Sequence, residues 1–272
     1  MVVRAISGAV YVALLIFALV SGSQLAFISV FSLITIVAIF EYLTLSNPEG
    51  GKLVKLLDVI GAVLMFIGLP LSVFDNPLYI LPFVGYVIVR QTVQLYIPQE
   101  NALKSLSASL ASQLYIALPL SLMAFTFHVF GWEVILAMFV MIWLNDTGAY
   151  CVGCTCGKHR LFERISPKKS WEGFFGGLLF TVLAGVAASL WLSDKFTTEL
   201  AQFNMIEWIL FGVLVTVFST WGDLCESLLK RTAGVKDSGN IIPGHGGILD
   251  RIDSMLFVAP VTFIFCLIVA AL

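Results

Sequence analysis

The chain has 272 residues, of which 59% are hydrophobic and only 12% are charged. Its mean hydropathy is +0.98, whereas a soluble domain carries roughly 25% charged residues. This composition excludes an ordinary soluble globular protein and predicts an all-α, polytopic integral membrane protein. The formal net charge of −2 says little about partners by itself, and we expect no nucleic-acid partner.

A membrane-spanning helix needs roughly 20 mostly apolar residues. About nine segments meet this requirement: 4–21, 24–46, 54–74, 77–97, 104–128, 131–151, 172–192, 206–230 and 254–272. The early connectors are short and no fixed repeat interrupts the chain, so we predict one membrane domain over residues 1–272. Residues 1–130 are expected to supply packing and dimer contacts, and residues 131–272 the catalytic helices and loops.

The first segment has some features of a signal peptide, because Arg4 precedes an apolar run that ends in small residues. Another span follows at once, which favours an uncleaved first helix.

The distribution of positive charge predicts the orientation of the helices. Cytoplasmic loops collect Lys and Arg. With nine spans and a cytoplasmic N-terminus, the outer side receives only Lys195, and Arg90 lies within the fourth span. The inner side receives Arg4, Lys52, Lys55, Lys104, Lys158, Arg160, Arg164, Lys168, Lys169, Lys230, Arg231, Lys236 and Arg251. This orientation places the polar stretches 152–171 and 231–253 together on the cytoplasmic face of the inner membrane.

The eighth predicted span begins as an apolar helix and ends with a polar stripe. Its sequence is MIEWILFGVLVTVFSTWGDLCESLLK. Asp223, Glu226, Ser227 and Lys230 are three or four residues apart and therefore share one helix face. Ionisable groups at membrane depth are unfavourable and normally face a cavity or a partner. For Glu226 and Lys230, a helix end at headgroup level explains the charges equally well, whereas the deeper Asp223 indicates function.

The sixth predicted span ends similarly, with Asn145 and Asp146 after a long apolar run. Packing explains such a pair poorly, so we expect it to form a second polar wall of the same cavity. Glu41, Asp58 and Arg90 also lie near or within spans, but each is isolated in sequence and is expected to be structural or interfacial.

A cysteine cluster, CVGCTC, contains Cys151, Cys154 and Cys156. A closed zinc site needs four ligands, and no paired Cys/His group follows at a suitable spacing. We therefore interpret the cluster as small, weakly polar residues at a helix end.

Two loops contain the residues that a phosphate-binding site requires. Ser166, Lys168 and Lys169 come just before the seventh span, where cations and free backbone N–H groups make an anion site. In the second loop, KDSGNIIPGHGGILDRID, glycines allow sharp turns and close backbone approach. No Walker sequence is present.

The second loop also contains carboxylates suited to a hard cation. Mg²⁺ takes carboxylate oxygens together with waters and substrate phosphates, and Asp223 with Asp250 would supply such a site from two chain segments. Lys230, Arg231 and Lys236 would neutralise a polyphosphate. His245 would contact phosphate or transfer a proton, unless it is a loop histidine bonded to the backbone. Together these residues predict phosphoryl or nucleotidyl transfer onto a lipid at the membrane surface.

The stretch from Ser227 to Asp253 closely resembles the signature of the CDP-diacylglycerol synthases, or phosphatidate cytidylyltransferases. NDTGAY (145–150) and SPKKSWEG (166–173) also resemble segments of that family. The signature positions present are Ser227, Lys230, Arg231, Lys236, Asp237, Pro243, His245, Gly246, Gly247, Asp250, Arg251 and Asp253.

The resemblance implies the reaction of phosphatidate with CTP to give CDP-diacylglycerol and pyrophosphate. It also implies Mg²⁺, a second, monovalent cation such as K⁺, and a homodimer. On this hypothesis Asp223 and Asp250 hold the metal, with Asp146 and Asp253 as additional ligands. Catalytic residues are Asp223, Asp250, Lys230, Lys236 and His245, and substrate contacts come from Asn145, Ser166, Lys168, Lys169, Arg231, Asp237, Gly246, Gly247 and Arg251.

Two other functions fit parts of the pattern. A CTP-dependent kinase of a polyprenol or another lipid alcohol would need a base, a role that His245 would fill. A transporter with a buried ion site usually shows internal repeats and broken helices at mid-membrane, whereas the polar residues here crowd one face and one half of the chain.

Overall fold

The structure, a computed structural model, describes the backbone of residues 2–97, 101–191, 203–241 and 246–272. Side chains are described for residues 7–97, 101–190, 203–241 and 246–272. Pro243, His245 and Lys195 lie outside the described residues. The chain divides into two compact units, Met1–Ala124 with Asp237–Arg251 and Phe125–Lys236 with Ile252–Leu272. The predicted single membrane domain stays a prediction.

The architecture is almost entirely helical, which confirms the predicted fold class. The helices are α1 (Val2–Val20), α2 (Gln24–Ser46), α3 (Lys52–Phe74), α4 (Leu81–Tyr96), α5 (Ala102–Ser112), α6 (Leu118–Phe130), α7 (Trp132–Cys156), α8 (Trp171–Trp191), α9 (Met205–Thr232) and α10 (Leu249–Ala271). A 3₁₀ turn (Pro77–Ile80) leads into α4, and a π-helical turn (Gln113–Ala117) joins α5 to α6.

Within the described ranges, eight helical segments are long and apolar enough to cross a membrane. The turn before α4 extends that segment to Pro77–Tyr96, and α5 and α6 form one segment, Ala102–Phe130. The first predicted span coincides with α1, whose searched part, Ser7–Val20, is a shorter apolar helix. The protein is therefore a multi-pass membrane protein.

In the first unit, a buried ionic network joins α3, α4 and α5. The Nε atom of Arg90 donates to Oδ1 of Asp58 at 2.9 Å, and both residues are almost completely buried. Tyr86 and Ser109 also donate to this oxygen, at 2.9 and 2.6 Å. A buried charge needs a partner and hydrogen bonds, so two residues that are isolated in sequence hold three helices together.

In the second unit, α7, α8 and α9 pack against one another. The start of α9 is fixed by a capping box, in which Glu207 N donates to Asn204 Oδ1 at 3.0 Å and Asn204 N donates to Glu207 Oε2 at 2.7 Å. Rings from α9 and α10 meet deeper in the unit, where Phe211 stacks on Phe265 with centroids 5.4 Å apart.

The predicted loop between the sixth and seventh spans contains a small β-hairpin. Helix α7 continues to Cys156, and β1 (Arg160–Phe162) pairs antiparallel with β2 (Ser166–Ser170). Leu161 and Ile165 bury their side chains with Leu224 of α9, which holds this hairpin in place. This packing fixes the backbone that carries the lysines of β2.

Candidate active site

A cavity of about 300 Å³ lies in the second unit, among the end of α7, the hairpin, the start of α8 and the polar part of α9. Its lining residues are Asn145, Asp146, Ala149, Tyr150, Gly153, Leu161, Lys168, Lys169, Ser170, Gly173, Phe174, Thr220 and Asp223. The structure thus brings together five residues that the sequence assigned to the site: Asn145, Asp146, Lys168, Lys169 and Asp223.

The carboxylate of Asp223 has two partners near the cavity. Its Oδ2 atom is 2.6 Å from the ammonium of Lys169, and its Oδ1 atom accepts a hydrogen bond from Ser227 at 3.2 Å. Both charged side chains are only partly exposed, at 26% for Lys169 and 36% for Asp223. The polar stripe of α9 therefore meets a cation of the hairpin at this wall.

The Asn145–Asp146 pair forms a second polar part of the lining, on α7. Asn145 is 3% exposed and donates from Nδ2 to the hydroxyl of Ser219 at 2.9 Å. Its Oδ1 atom has no hydrogen-bond partner among the residues that the structure describes. Asp146 is exposed at the cavity, so the two neighbours have different tasks: Asn145 contacts α9, and Asp146 presents its charge to the cavity.

Asp253 adds a third acidic group. It lies in the first turns of α10, where its Oδ1 atom accepts from Ser254 N at 2.7 Å. Asp223, Asp146 and Lys169 all lie close enough to act electrostatically on this carboxylate. Three carboxylates thus influence one another in the same region of the second unit.

These carboxylates fit a divalent cation by their chemistry. Mg²⁺ prefers carboxylate oxygens, and three acidic groups faced mainly by Lys169 leave excess negative charge that a cation would neutralise. However, the described part of the chain contains no group of three or more His, Cys, Asp or Glu side chains already arranged to hold a metal ion. The exposed Cys151, Cys154 and Cys156 form no such group either.

Four other predicted site residues of the second unit do not line this cavity. Lys230 pairs with the fully buried Glu226 one helical turn away. Arg231 donates to the carbonyl of Val235 at 3.3 Å, and Lys236 is exposed. Ser166 is partly buried at the start of β2.

The remaining predicted residues lie in the first unit. Asp250 holds the glycine-rich loop, because its Oδ2 atom accepts from Ser238 N (2.9 Å), Ser238 Oγ (2.9 Å) and Gly247 N (2.8 Å). Gly246 has φ +83°, a conformation that favours glycine. Asp237 and Arg251 are exposed. The predicted sharing of a metal by Asp223 and Asp250 stays a prediction.

Sequence reasoning missed several residues of the site. Tyr150 and Phe174 line the cavity. Tyr150 ends the segment NDTGAY and Phe174 directly follows SPKKSWEG, so the two resembling segments were the signal that could have found them. Thr220 belongs to the polar stripe of α9 and also lines the cavity.

The chain matches the sequence profile of the Cytidylyltransferase family over residues 2–269. It belongs to that family.

Relatives in the genus Staphylococcus show the same relationship. A protein of Staphylococcus aureus (strain COL) named phosphatidate cytidylyltransferase is 50% identical over 132 residues, which is 48% of this chain and 47% of the relative. Proteins of the same name from Staphylococcus epidermidis and Staphylococcus haemolyticus are each 45% identical, over 130 and 132 residues and with the same shares covered. The match therefore spans about half the length of these curated relatives.

Proposed function

We propose that this cytidylyltransferase family member acts on phosphatidate. It would transfer CMP from CTP to phosphatidate and yield CDP-diacylglycerol and pyrophosphate. The supporting observation is the cavity in which two lysines and two carboxylates meet at the ends of apolar helices. A polar cavity in this position suits a substrate whose charged phosphate is attached to apolar chains.

The proposed reaction needs no base on the protein. A phosphate oxygen of phosphatidate attacks the α-phosphorus of CTP, and a new P–O bond forms there. The bond from the α-phosphorus to its bridging oxygen breaks, and the electron pair leaves on pyrophosphate. Because the nucleophile is already an anion, catalysis consists mainly of positioning and charge stabilisation.

The lysines of β2 would bind the phosphates. Lys168 is exposed at the cavity, and Lys169 is held by Asp223 at 2.6 Å. Substrate phosphate would compete with Asp223 for Lys169, so the ammonium would move between two anionic partners. The hairpin packing through Leu161 and Ile165 keeps both lysines beside the cavity.

The acidic groups would hold the cation that the family resemblance implies. Asp223, Asp146 and Asp253 would supply oxygen ligands, and Asp250 is proposed as a ligand from the sequence pattern alone. When bound, Mg²⁺ would neutralise charge on the nucleotide phosphates and on the leaving pyrophosphate. A second, monovalent cation and a homodimer are proposed on the resemblance alone.

We further propose that the protein lies in the inner membrane with its active site facing the cytoplasm. The excess of Lys and Arg in alternate loops supports this orientation. The acyl chains of the lipid would enter sideways from the bilayer, and CTP would enter from the cytoplasm.

Incorporation of labelled CTP into lipid tests this function. The full chain in detergent or nanodiscs is incubated with either phosphatidate or a polyprenol, with and without Mg²⁺, and with CTP labelled in the α-phosphate or, in parallel reactions, in the γ-phosphate. We expect label in lipid only with phosphatidate and Mg²⁺, and one pyrophosphate released for each CDP-lipid formed. Transfer to polyprenol with release of CDP instead would contradict the assignment and favour a lipid kinase.

A further inference from the structure

Glu41, in the last turns of α2, reaches the glycine-rich loop some 200 residues away in sequence. Its side chain is almost completely buried, with 3% of the residue exposed. The Oε1 atom accepts from Ile248 N at 3.1 Å, and the Oε2 atom accepts from Leu249 N at 2.9 Å and from Ser238 Oγ at 3.2 Å. All of these residues belong to the first unit.

The contacts use both oxygens of a carboxylate as acceptors. Ile248 and Leu249 lie at the start of α10, where backbone N–H groups have no partner within the helix and negative charge is favourable. A glutamine amide would keep one acceptor but would direct its NH₂ group at one of these donors. A negative, acceptor-only side chain is therefore specifically suited to this position.

The glycines of the loop leave the space that Glu41 occupies. A Cβ atom built on Gly239 would lie 2.5 Å from Oε1 of Glu41, and one built on Gly247 would overlap both that carboxylate and the hydroxyl of Ser238. The loop and Glu41 are thus fitted to each other. Glu41, from the first half of the sequence, leaves no room for a side chain at Gly239 or Gly247 of the signature stretch.

Glu41 and Asp250 hold the same segment from two sides. Ser238 Oγ contacts Glu41 Oε2 at 3.2 Å and Asp250 Oδ2 at 2.9 Å, and Gly247 N donates to Asp250 at 2.8 Å. The Ser238 hydroxyl has one proton to share between them, so the two carboxylates are coupled through it. A change at Glu41 would therefore be transmitted to Asp250 and Gly247, which the proposed function assigns to the site.

We propose that Glu41 is a positioning residue for cytidylyl transfer, which fixes the loop carrying Asp250, Gly246, Gly247 and Arg251. This inference rests on the proposed function. Glu41 acts through the loop and has no role in contacting the substrates. Its loss would disorder the groups that orient the phosphates and would lower kcat more than it raises KM for CTP.

The test compares Glu41→Gln with Glu49→Gln in the full chain. Glu49 is an exposed glutamate just beyond α2, so the control makes the same chemical change outside the site. We expect Glu41→Gln to lower kcat per folded protein by about ten- to hundredfold, with a smaller change in KM for CTP. Glu41→Asp keeps the charge and should recover part of the loss, whereas Glu49→Gln should behave as wild type.

Hydrogen exchange gives a second readout that does not depend on activity. The amides of Ile248 and Leu249 should exchange faster in Glu41→Gln than in wild type or Glu49→Gln. Unchanged exchange, or wild-type kcat in Glu41→Gln, would overturn the positioning role. If Glu41→Gln does not accumulate as folded protein, Glu41→Asp and Ser238→Ala are compared with wild type instead. Both should lower kcat and speed the exchange of the Ile248 and Leu249 amides, by less than expected for Glu41→Gln.

The outcomes separate the two proposals. A wild-type protein that transfers no cytidylyl group to phosphatidate would remove the proposed function. In that case faster exchange in Glu41→Gln would still support the contact between Glu41 and the loop. An active wild type whose Glu41→Gln variant is equally active would remove the role of Glu41 alone.

Discussion

At the scale of single residues, the acidic groups in the spans fall into two kinds. Asp58, Glu226 and Glu41 are buried against cations or backbone donors, and their contacts stabilise helices or a loop. Asp146 and Asp223 face a cavity, and Lys169 forms a partly exposed ion pair with Asp223. A buried charge with fixed partners is structural, whereas a cavity-facing charge near other carboxylates is available for a substrate or a cation.

Asp223→Asn should abolish turnover and leave the protein folded. The substitution removes the negative charge that holds Lys169 and that would bind the cation, so we expect kcat to fall by about a hundredfold or more. The ion pair with Lys169 is partly exposed, and such pairs contribute roughly 0–1 kcal/mol to stability. The thermal unfolding temperature should therefore change little. Measured CTP incorporation and thermal unfolding in the same preparation check both parts.

The matched control for this prediction is Asp75→Asn, at the exposed C-cap of α3. It should keep wild-type activity. Near-normal turnover in Asp223→Asn would remove Asp223 from the metal and catalytic roles.

At the scale of helices, the second unit depends on close approach of backbones. Glycines stand where α8 crosses α9: a Cβ on Gly185 would lie 2.6 Å from the carbonyl oxygen of Trp208, and one on Gly212 would lie 2.6 Å from that of Thr181. Thr181 and Thr216 then share a hydrogen bond of 2.7 Å between these helices. In a membrane the lipid tails are as apolar as the helix surfaces, so the hydrophobic effect does not drive helices together. Small residues that allow close packing and buried hydroxyl groups that form hydrogen bonds stabilise the contact between helices instead.

Gly212→Ala should destabilise the protein, because the added methyl group meets the backbone of Thr181 at 2.6 and 3.0 Å. Backbone in a packed helix cannot move aside easily, and overpacking of this kind costs about 1–3 kcal/mol. The control is Gly85→Ala in α4, where a Cβ would have no heavy atom within 4 Å. That change should be neutral or stabilising by about 0.4–1 kcal/mol. Unfolding of both variants in one detergent measures the difference, and equal effects would contradict close packing at Gly212.

At the scale of the whole molecule, the eight long apolar helical segments found in the described ranges make the chain a multi-pass membrane protein, but they do not define its direction. The orientation is proposed from the Lys and Arg residues of alternate loops. It predicts that the end of α7 and the following hairpin lie in the cytoplasm.

Labelling of native cysteines tests this orientation. Cys151, Cys154 and Cys156 are exposed at the end of α7, whereas Cys225 is partly buried and Cys266 is buried. A membrane-impermeant maleimide should label inside-out vesicles and leave right-side-out vesicles largely unlabelled. A variant with serine at all three exposed positions should lose the signal. Labelling confined to right-side-out vesicles would reverse the proposed topology.

The sequence by itself determined the helical membrane architecture and many of the residues that meet at the cavity. Apolar runs of span length must form helices in lipid, because every backbone group has to be bonded internally. The stripe through Asp223 follows from helical periodicity alone. Helix formation and the face on which a residue lies depend on only a few turns of sequence. They can therefore be predicted without knowing which helices are neighbours.

The tertiary structure alone decided the contacts between distant segments. Leu161 and Ile165 hold the hairpin in place by burying against Leu224, and Asp58 and Arg90, 32 residues apart, form one ion pair. The carboxylate of Glu41 accepts hydrogen bonds from donors 197 to 208 positions away in sequence. No short-range pattern contains these pairings, because they depend on which helix faces come together when buried charges and apolar surfaces find partners.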